Sequence, residues 1–259
     1  MDANTYAIES AIEQTHWWFV VRRSLIRSII DELKMSHDAA ILDVGTSTGT
    51  NLRLLKEMGF TNFLGLDISP EAIGWCADKG LGIVHQGDVC AIPFPDKRFD
   101  LVLATDIIEH VDDDLKSLQE LHRVLKESGT IVITVPAFPC LWGLQDVVAQ
   151  HKRRYRHSDF LEKLGKAGFE CTNWFYFNFL LFAPIWVARQ MIRITRIKLK
   201  SENQINTPLL NWILKAIFYL DVALARGWKP HFGVSLLALA RPKQARDLVQ
   251  TSALFRRQE

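Results

Sequence analysis

From Ala39 to Val135, short apolar runs closed by an acid or a glycine alternate with stretches of helical periodicity. No other feature of the chain restricts its fold as much. Ala39–Asp43, Asn62–Leu66, Leu81–His85, Phe99–Ala104 and Thr130–Val135 read as strands. Thr50–Met58 reads as a helix stopped at Gly59. A second helix opens at Ser69-Pro70, where serine caps the first turn and the missing N–H of proline costs nothing. Asp112–Ser128 carries Leu115, Leu118, Leu121, Val124 and Leu125 on one face and predicts a third helix, stopped by Gly129. Strands joined in this way through helices pair in parallel, with helices on both faces of the sheet. Two helices over residues 5–35 precede this block. A helix at Ser158–Gly165 and strands at Phe169–Phe177 and Gly233–Ala240 follow it.

The chain of 259 residues suffices for one domain with a substantial insertion. The expected divisions are a helical lid over 1–36, the main domain over 37–178 and 231–242, an apolar helical insertion over 179–230 and a tail over 243–259. With 31 Lys+Arg against 29 Asp+Glu, nothing in the charge points to nucleic acid. Cys76, Cys90, Cys140 and Cys171 are far apart and read as reduced thiols, neither a disulfide frame nor a zinc site, and no metal is expected. The first residues lack the basic-then-apolar pattern of a signal peptide, and no uninterrupted apolar run reaches the roughly 20 residues of a membrane span. These features predict a cytoplasmic protein.

The most informative segment is Ile41-Leu-Asp43-Val-Gly45-Thr46-Ser47-Thr-Gly49-Thr-Asn51, a strand running through a glycine-containing turn into a helix. Gly45 and Gly49 permit a tight turn and close approach of a ligand to the backbone. Open α/β sheets bind ligands beyond the carboxyl ends of their strands. Asp67 ends the second strand, where it can accept both ribose hydroxyls of an adenosine. Asp88 follows the third strand, where it can reach the adenine amino group. Two rival readings share these residues. A nicotinamide dinucleotide fingerprint needs glycines where Ser47 and Thr50 stand. Gly45-x-Ser47-x-Gly49 fits a nucleophile elbow, but only helices precede it where that fold needs strands.

The pattern Asp43-x-Gly45-x-Ser47-x-Gly49 resembles the D-x-G-x-G-x-G motif of class I S-adenosylmethionine-dependent methyltransferases, with Ser47 in place of the middle glycine. Gly87-Asp88, Ile92-Pro-Phe-Pro-Asp96, Phe99–Ala104 and Leu121–Gly129 resemble that family's central block. The resemblance implies an α/β, Rossmann-like, seven-stranded, mostly parallel sheet whose last strand is antiparallel. It also implies S-adenosylmethionine as cofactor and S-adenosylhomocysteine as product. The expected cofactor contacts are Asp43, Gly45, Thr46, Ser47, Gly49, Asp67, Ile68, Asp88, Val89 and Thr105.

On the acceptor side, Asp112–Asp114 read as helix-capping charges rather than metal ligands. His110 and the cluster His151-Lys-Arg153-Arg154-Tyr155 supply candidate bases in His151, His110 and Tyr155. Phe138, Trp142, Arg153 and Arg154 are expected in the substrate pocket. The segments His16-Trp17-Trp18-Phe19-x-x-Arg22 and His151-x-Arg153-Arg154-Tyr155 resemble a bacterial subgroup of these enzymes associated with surface-glycan or polyprenyl-linked glycosyl transfer. That resemblance implies an aromatic segment folded over the cofactor, with Trp18 against it and Arg22 pairing with the methionine carboxylate.

Trp174–Val187 and Leu209–Leu224 are apolar on nearly every face and adjoin Arg189, Arg193, Arg196, Lys198 and Lys200. This composition suits a helix lying in a membrane interface, although a lid or a dimer surface would also account for it. The expected function is methyl transfer to a small-molecule or lipid-linked-glycan acceptor, by a monomer or homodimer, possible membrane-surface contact running through 179–230 at the inner face. Alternatives are a quinone-type O- or C-methyltransferase and a non-catalytic cofactor-binding partner of a glycosyltransferase.

Overall fold

The computed structural model describes residues 3–195 and 207–243. Arg196, Lys198, Lys200 and the polar loop expected before Thr207 lie outside the described residues, as does nearly all of the expected tail. Seven strands form one sheet in the order β3-β2-β1-β4-β5-β7-β6. They are β1 (Ile41–Val44), β2 (Phe63–Asp67), β3 (Ile83–Gln86), β4 (Phe99–Thr105), β5 (Leu125–Pro136), β6 (Phe169–Phe177) and β7 (Ser235–Pro242). β1 to β5 pair in parallel. β7 slots antiparallel between β5 and β6.

Alternation along each strand separates two cores. Leu42, Val44, Val102, Ala104, Ile131 and Ile133 face α5 (Asp114–Val124) and α7 (His157–Lys166). Ile41, Leu101, Leu103 and Val132 face the other way, onto Leu25, Ile26, Ile29 and Ile30 of α2 (Trp17–Leu33) and Leu54 and Leu55 of α3 (Thr50–Glu57). Phe218 and Ala225 of α9 (Pro208–Trp228) complete that second layer. The remaining helices are α1 (Ala3–Ile12), α4 (Pro70–Asp78), α6 (Leu144–Val148) and α8 (Phe182–Thr195). As expected, Ser69 caps α4 by accepting the N–H of Ala72.

The helix expected over Asp112–Ser128 is shorter. It ends at Val124, and Leu125 through Gly129 already belong to β5. Leu125 continues the apolar helical period, but it pairs with Phe99 at the start of β4. The sheet's hydrogen bonds win over local periodicity, and Gly129 is a strand residue rather than a stop.

Among the described residues, the apolar insertion between β6 and β7 comprises α8 and α9. α9 has the length and composition of a membrane span, yet it is fastened to the sheet layer on one side. Asp221, fully buried, accepts the backbone N–H groups of Asn178 (2.6 Å) and Leu180 (2.7 Å) just beyond β6. Asn211 accepts the N–H of Trp17 at 2.7 Å and donates to the carbonyl of Thr15. Away from these contacts α9 exposes Trp212, Tyr219, Leu220 and Leu224, and Trp228 at its end is exposed while its ring meets Phe179 edge to face.

Candidate active site

A cavity of about 340 Å³ opens beyond the carboxyl ends of β1, β2 and β4, within the size range of small-molecule sites. The N-terminal helices close it, because Tyr6, Glu9, His16, Trp17, Trp18, Phe19 and Arg22 all line it. Buried Glu13 secures this lid: it pairs with Lys79 at 2.9 Å and with Arg53, and it accepts the hydroxyl of Thr48. Trp18 stacks on Phe218 of α9 at 5.3 Å and on Phe177 at 6.1 Å, so the aromatic segment is both cavity wall and core.

At one end the strand-to-helix turn after β1 forms the wall. Gly45 and Gly49 have φ of 72° and 86°, and Ser47, at the position where the family motif has its middle glycine, also adopts a left-handed φ of 49°. A side chain on Gly45 would collide with Ile107, and one on Gly49 with Leu81, so packing as well as conformation demands glycine here. The carboxylate of Asp67 accepts the N–H groups of Ser47 and Ser69, each at 2.9 Å. Those bonds use two of its roughly four acceptor positions and leave others able to accept from a ligand. Beside it Ile68, 66% exposed, is an apolar shelf in the cavity wall. Asp43 lies behind the turn. It is fully buried, with Oδ1 accepting the amide of Asn51 at 2.8 Å and Oδ2 unpartnered. Burial pushes its pKa up to about 7, against the Asn51 hydrogen bond. Asn51 also donates to Thr105, which lines the cavity from the end of β4.

Asp88 is exposed and outside the cavity lining, and one of its carboxylate oxygens accepts the N–H of Cys90 at 2.8 Å. Val89 is buried in the core below. Arg22 is in the wall, but its guanidinium pairs with Asp106 at 2.8 Å while its buried Nε stays without a hydrogen-bond partner. A buried donor of this kind suits an anionic group of a bound ligand.

Glu109, His110 and His151 form the other end. Ile108–His110 is a 3-10 turn after β4. His151 follows α6, and its Nδ1 sits 2.9 Å from Asp146 Oδ1, five residues earlier. Asp146 also takes Arg154 Nε at 2.8 Å and Arg189 of α8 at 3.4 Å, and it caps the N–H of Gly143. Burial alone would raise the Asp146 pKa, but the His151 hydrogen bond and the two guanidinium charges hold it at about 2. Burial and the neighbouring His151 push His110 down to about 4, so its imidazole is neutral. Burial, reinforced by Asp106, raises Glu109 well above the usual carboxylate range.

Several expected acceptor-side residues lie outside this cavity. The Tyr155 hydroxyl donates to Asp114 at 2.9 Å and the ring packs on Phe160, so it is a buried strut rather than a base; burial and Asp114 push its pKa further up. Arg153 pairs with the same Asp114 and donates to the carbonyls of Val111 and Asp112, which ties two loops together. Phe138 stacks on Tyr176 at 5.0 Å, and Trp142 caps a short turn; neither is in the lining. Arg154 does line the cavity. The residues missed from sequence are Glu109, Asp146, Gln145, Asn178 and Arg189. The spacing of Asp146 and His151 was the one available signal; Arg189 joins them from a helix 43 residues further along the chain.

A ligand pocket at the carboxyl edge of this sheet, with a glycine turn and an acid at the end of β2 in its wall, accompanies a Rossmann-like fold. Residues 42–133 match the family described as "Methyltransferase domain". Among curated relatives, the chain is similar to a 2-methyl-6-phytyl-1,4-hydroquinone methyltransferase of Oryza sativa subsp. japonica. Identity is 29% over 139 residues, covering 52% of this chain and 42% of the relative. It is also similar to a ubiquinone/menaquinone biosynthesis C-methyltransferase of Citrifermentans bemidjiense, 30% identical, covering 55% and 61% respectively. The chain spans about half the length of the curated relatives it matches. Its fold is that of a SAM-dependent methyltransferase from Archaeoglobus fulgidus, with a TM-score of 0.53 at 20% identity over 85% of this chain and 94% of that one. The family match thus places residues 42–133 in a methyltransferase domain, on a sheet with the Rossmann-like strand order.

Proposed function

We propose that this chain transfers the methyl group of S-adenosylmethionine to a small-molecule acceptor. One observation carries the reading: a single cavity is lined both by Ser47, Asp67 and Ile68 and by Glu109, His110 and His151. The cofactor, when bound, supplies a methyl group already activated on a sulfonium. The protein's task is therefore alignment and removal of the acceptor's proton. Asp67 would hold the ribose hydroxyls, Ile68 would cover one face of the base, and the free Nε of Arg22 would meet the carboxylate end. Trp18 and Tyr6 exclude water from above. The acceptor's nucleophile would sit against the His151 end, where its proton is released.

The finer part of the proposal concerns the acceptor's carrier. α8 contributes Ile185 and Arg189 to the cavity wall and exposes Trp186, Val187, Met191 and Ile194 on its outside. α9 exposes further apolar side chains, and an exposed apolar helical surface of this kind suits an acceptor presented from the inner face of a membrane. A lipid-linked glycan fits that surface. A second reading, a prenyl-tailed hydroquinone, draws support from the names of the rice and bacterial relatives.

Calorimetry with S-adenosylmethionine, followed by S-adenosylhomocysteine release in the presence of lipid-linked glycans and short-chain hydroquinones, tests both levels. Absence of cofactor heat overturns the reading altogether. Turnover with soluble acceptors alone overturns the membrane part, and any turnover rules out a purely non-catalytic role.

A further inference from the structure

The acceptor end of the cavity contains two imidazoles and a carboxylate whose donor atoms all lie within 4.8 Å of one another: Glu109, His110 and His151. Glu109 is completely buried, and neither of its carboxylate oxygens has a hydrogen-bond partner. Burying a carboxylate without partners is costly, and such groups are ordinarily paired or bound to a metal. Its Oε1 stands 3.8 Å from His151 Nε2, too far for a hydrogen bond but close to the separation of two ligands on one ion. The His110 and His151 rings meet edge to face with centroids 4.8 Å apart, so neither blocks the other's lone pair. The Nδ1 of His151 is engaged by Asp146 at 2.9 Å. A carboxylate on the far ring nitrogen fixes the tautomer and aims Nε2, the arrangement that accompanies metal-ligating histidines.

We propose that Glu109, His110 and His151 bind a divalent transition-metal ion of the zinc type at the acceptor end of the cavity. Two nitrogen donors and one carboxylate oxygen suit zinc and leave a coordination position open toward the cavity. An acceptor hydroxyl entering that position would bind through oxygen and lose its proton to solvent, since a coordinated oxygen is far more acidic than a free one. His151 then acts as ligand rather than free base, and Asp146 as its positioning residue. Glu109-His110 and His151 belong to loops after different strands, so no ligand spacing along the chain marks this site. The proposed role in acceptor activation rests on the methyl-transfer reading; the binding of the ion does not.

The test is calorimetry of zinc chloride into the full chain after chelator treatment, with His110→Ala, His151→Ala and Glu109→Gln alongside. One equivalent should bind to the unaltered protein, and each substitution should weaken binding at least about tenfold while S-adenosylmethionine heats stay unchanged. Cobalt(II) substituted into the unaltered protein should give the visible absorption of a four- or five-coordinate site, a readout that needs no variant to fold. Absence of zinc heat, or zinc binding that survives in a His110→Ala/His151→Ala double variant, overturns the site and leaves His151 as an unmetallated base. Zinc binding without any cofactor heat sinks the methyl-transfer reading and leaves the metal site standing.

Discussion

The two ends of the cavity place a buried acid under opposite conditions. Behind the glycine turn, Asp43 has one neutral amide partner, and burial pushes it up to about 7. At the other end, Asp146 has Arg154, Arg189 and His151 around it and is held at about 2. The first end is a turn of backbone assembled from neighbours in sequence. The second is an ionic cluster gathered from α6, the loop after it and α8. The nucleoside end is therefore built by local conformation, and the acceptor end by tertiary contacts between distant segments.

The largest effect should come from breaking the ionic cluster. Asp146→Ala leaves two buried guanidinium groups without their counter-charge, and removing one partner of a buried pair costs about 3–5 kcal/mol. A denaturant titration should show that loss. An unchanged midpoint would mean that the cluster does not stabilise the fold. The equivalent loss at the nucleoside end appears in affinity. Asp67→Ala removes the acceptor for the ribose and for two backbone N–H groups, and charge-assisted bonds are worth roughly 1.5–3 kcal/mol each. Calorimetry should show cofactor affinity reduced by about a hundredfold, with zinc binding at the far end retained. Equal loss of both would show that the ends are not independent.

This contrast also explains what the sequence disclosed. Asp43, Gly45, Gly49 and Asp67 were recognisable because a strand, a turn and the next strand end place them within one stretch of chain. Ser47 is the informative departure: it fills the left-handed position of a glycine without altering the turn. The order of Asp88 after β3 puts an acid past the strand end but does not reveal that one of its oxygens caps the N–H of Cys90, a local contact invisible in strand order. Tyr155 and Arg153 were drawn toward the site by proximity to His151. The carboxylate of Asp114, across the loop, holds both away from it. Nothing near residue 146 announces that a helix starting at Phe182 will deliver Arg189 to it.

The titration of Asp43 gives a smaller and pH-dependent test. Its folded pKa of about 7 lies above the usual value of 3.8, so between these values the folded state holds a proton that the unfolded chain releases. Its contribution to stability is complete below pH 4, falls as pH climbs toward 7 at up to about 1.4 kcal/mol per unit, and is flat above that. Urea unfolding between pH 5 and 8 should show this decline, and Asp43→Asn should flatten it. A slope that persists in the variant assigns the titration to another group.

The smallest effect on stability, and the one that separates the apolar surface from both cavity ends, belongs to the exposed tryptophans of α9. Trp212 and Trp228, near the two ends of the helix, are 64% and 73% exposed, whereas Asp221 and Phe218 between them are fully buried. Replacing both tryptophans with glutamine removes one edge-to-face contact, that of Trp228 on Phe179, and should change folding stability by no more than about 1.5 kcal/mol. If the surface meets a membrane, the same double variant should lose most of its sedimentation with anionic phospholipid vesicles, because interfacial binding scales with buried apolar area. Cofactor and zinc affinities should be untouched, since neither residue lines the cavity. Vesicle binding unaffected by the substitutions would move the membrane contact off α9. A collapse of folding stability would instead show that this face is covered by protein, as in a dimer.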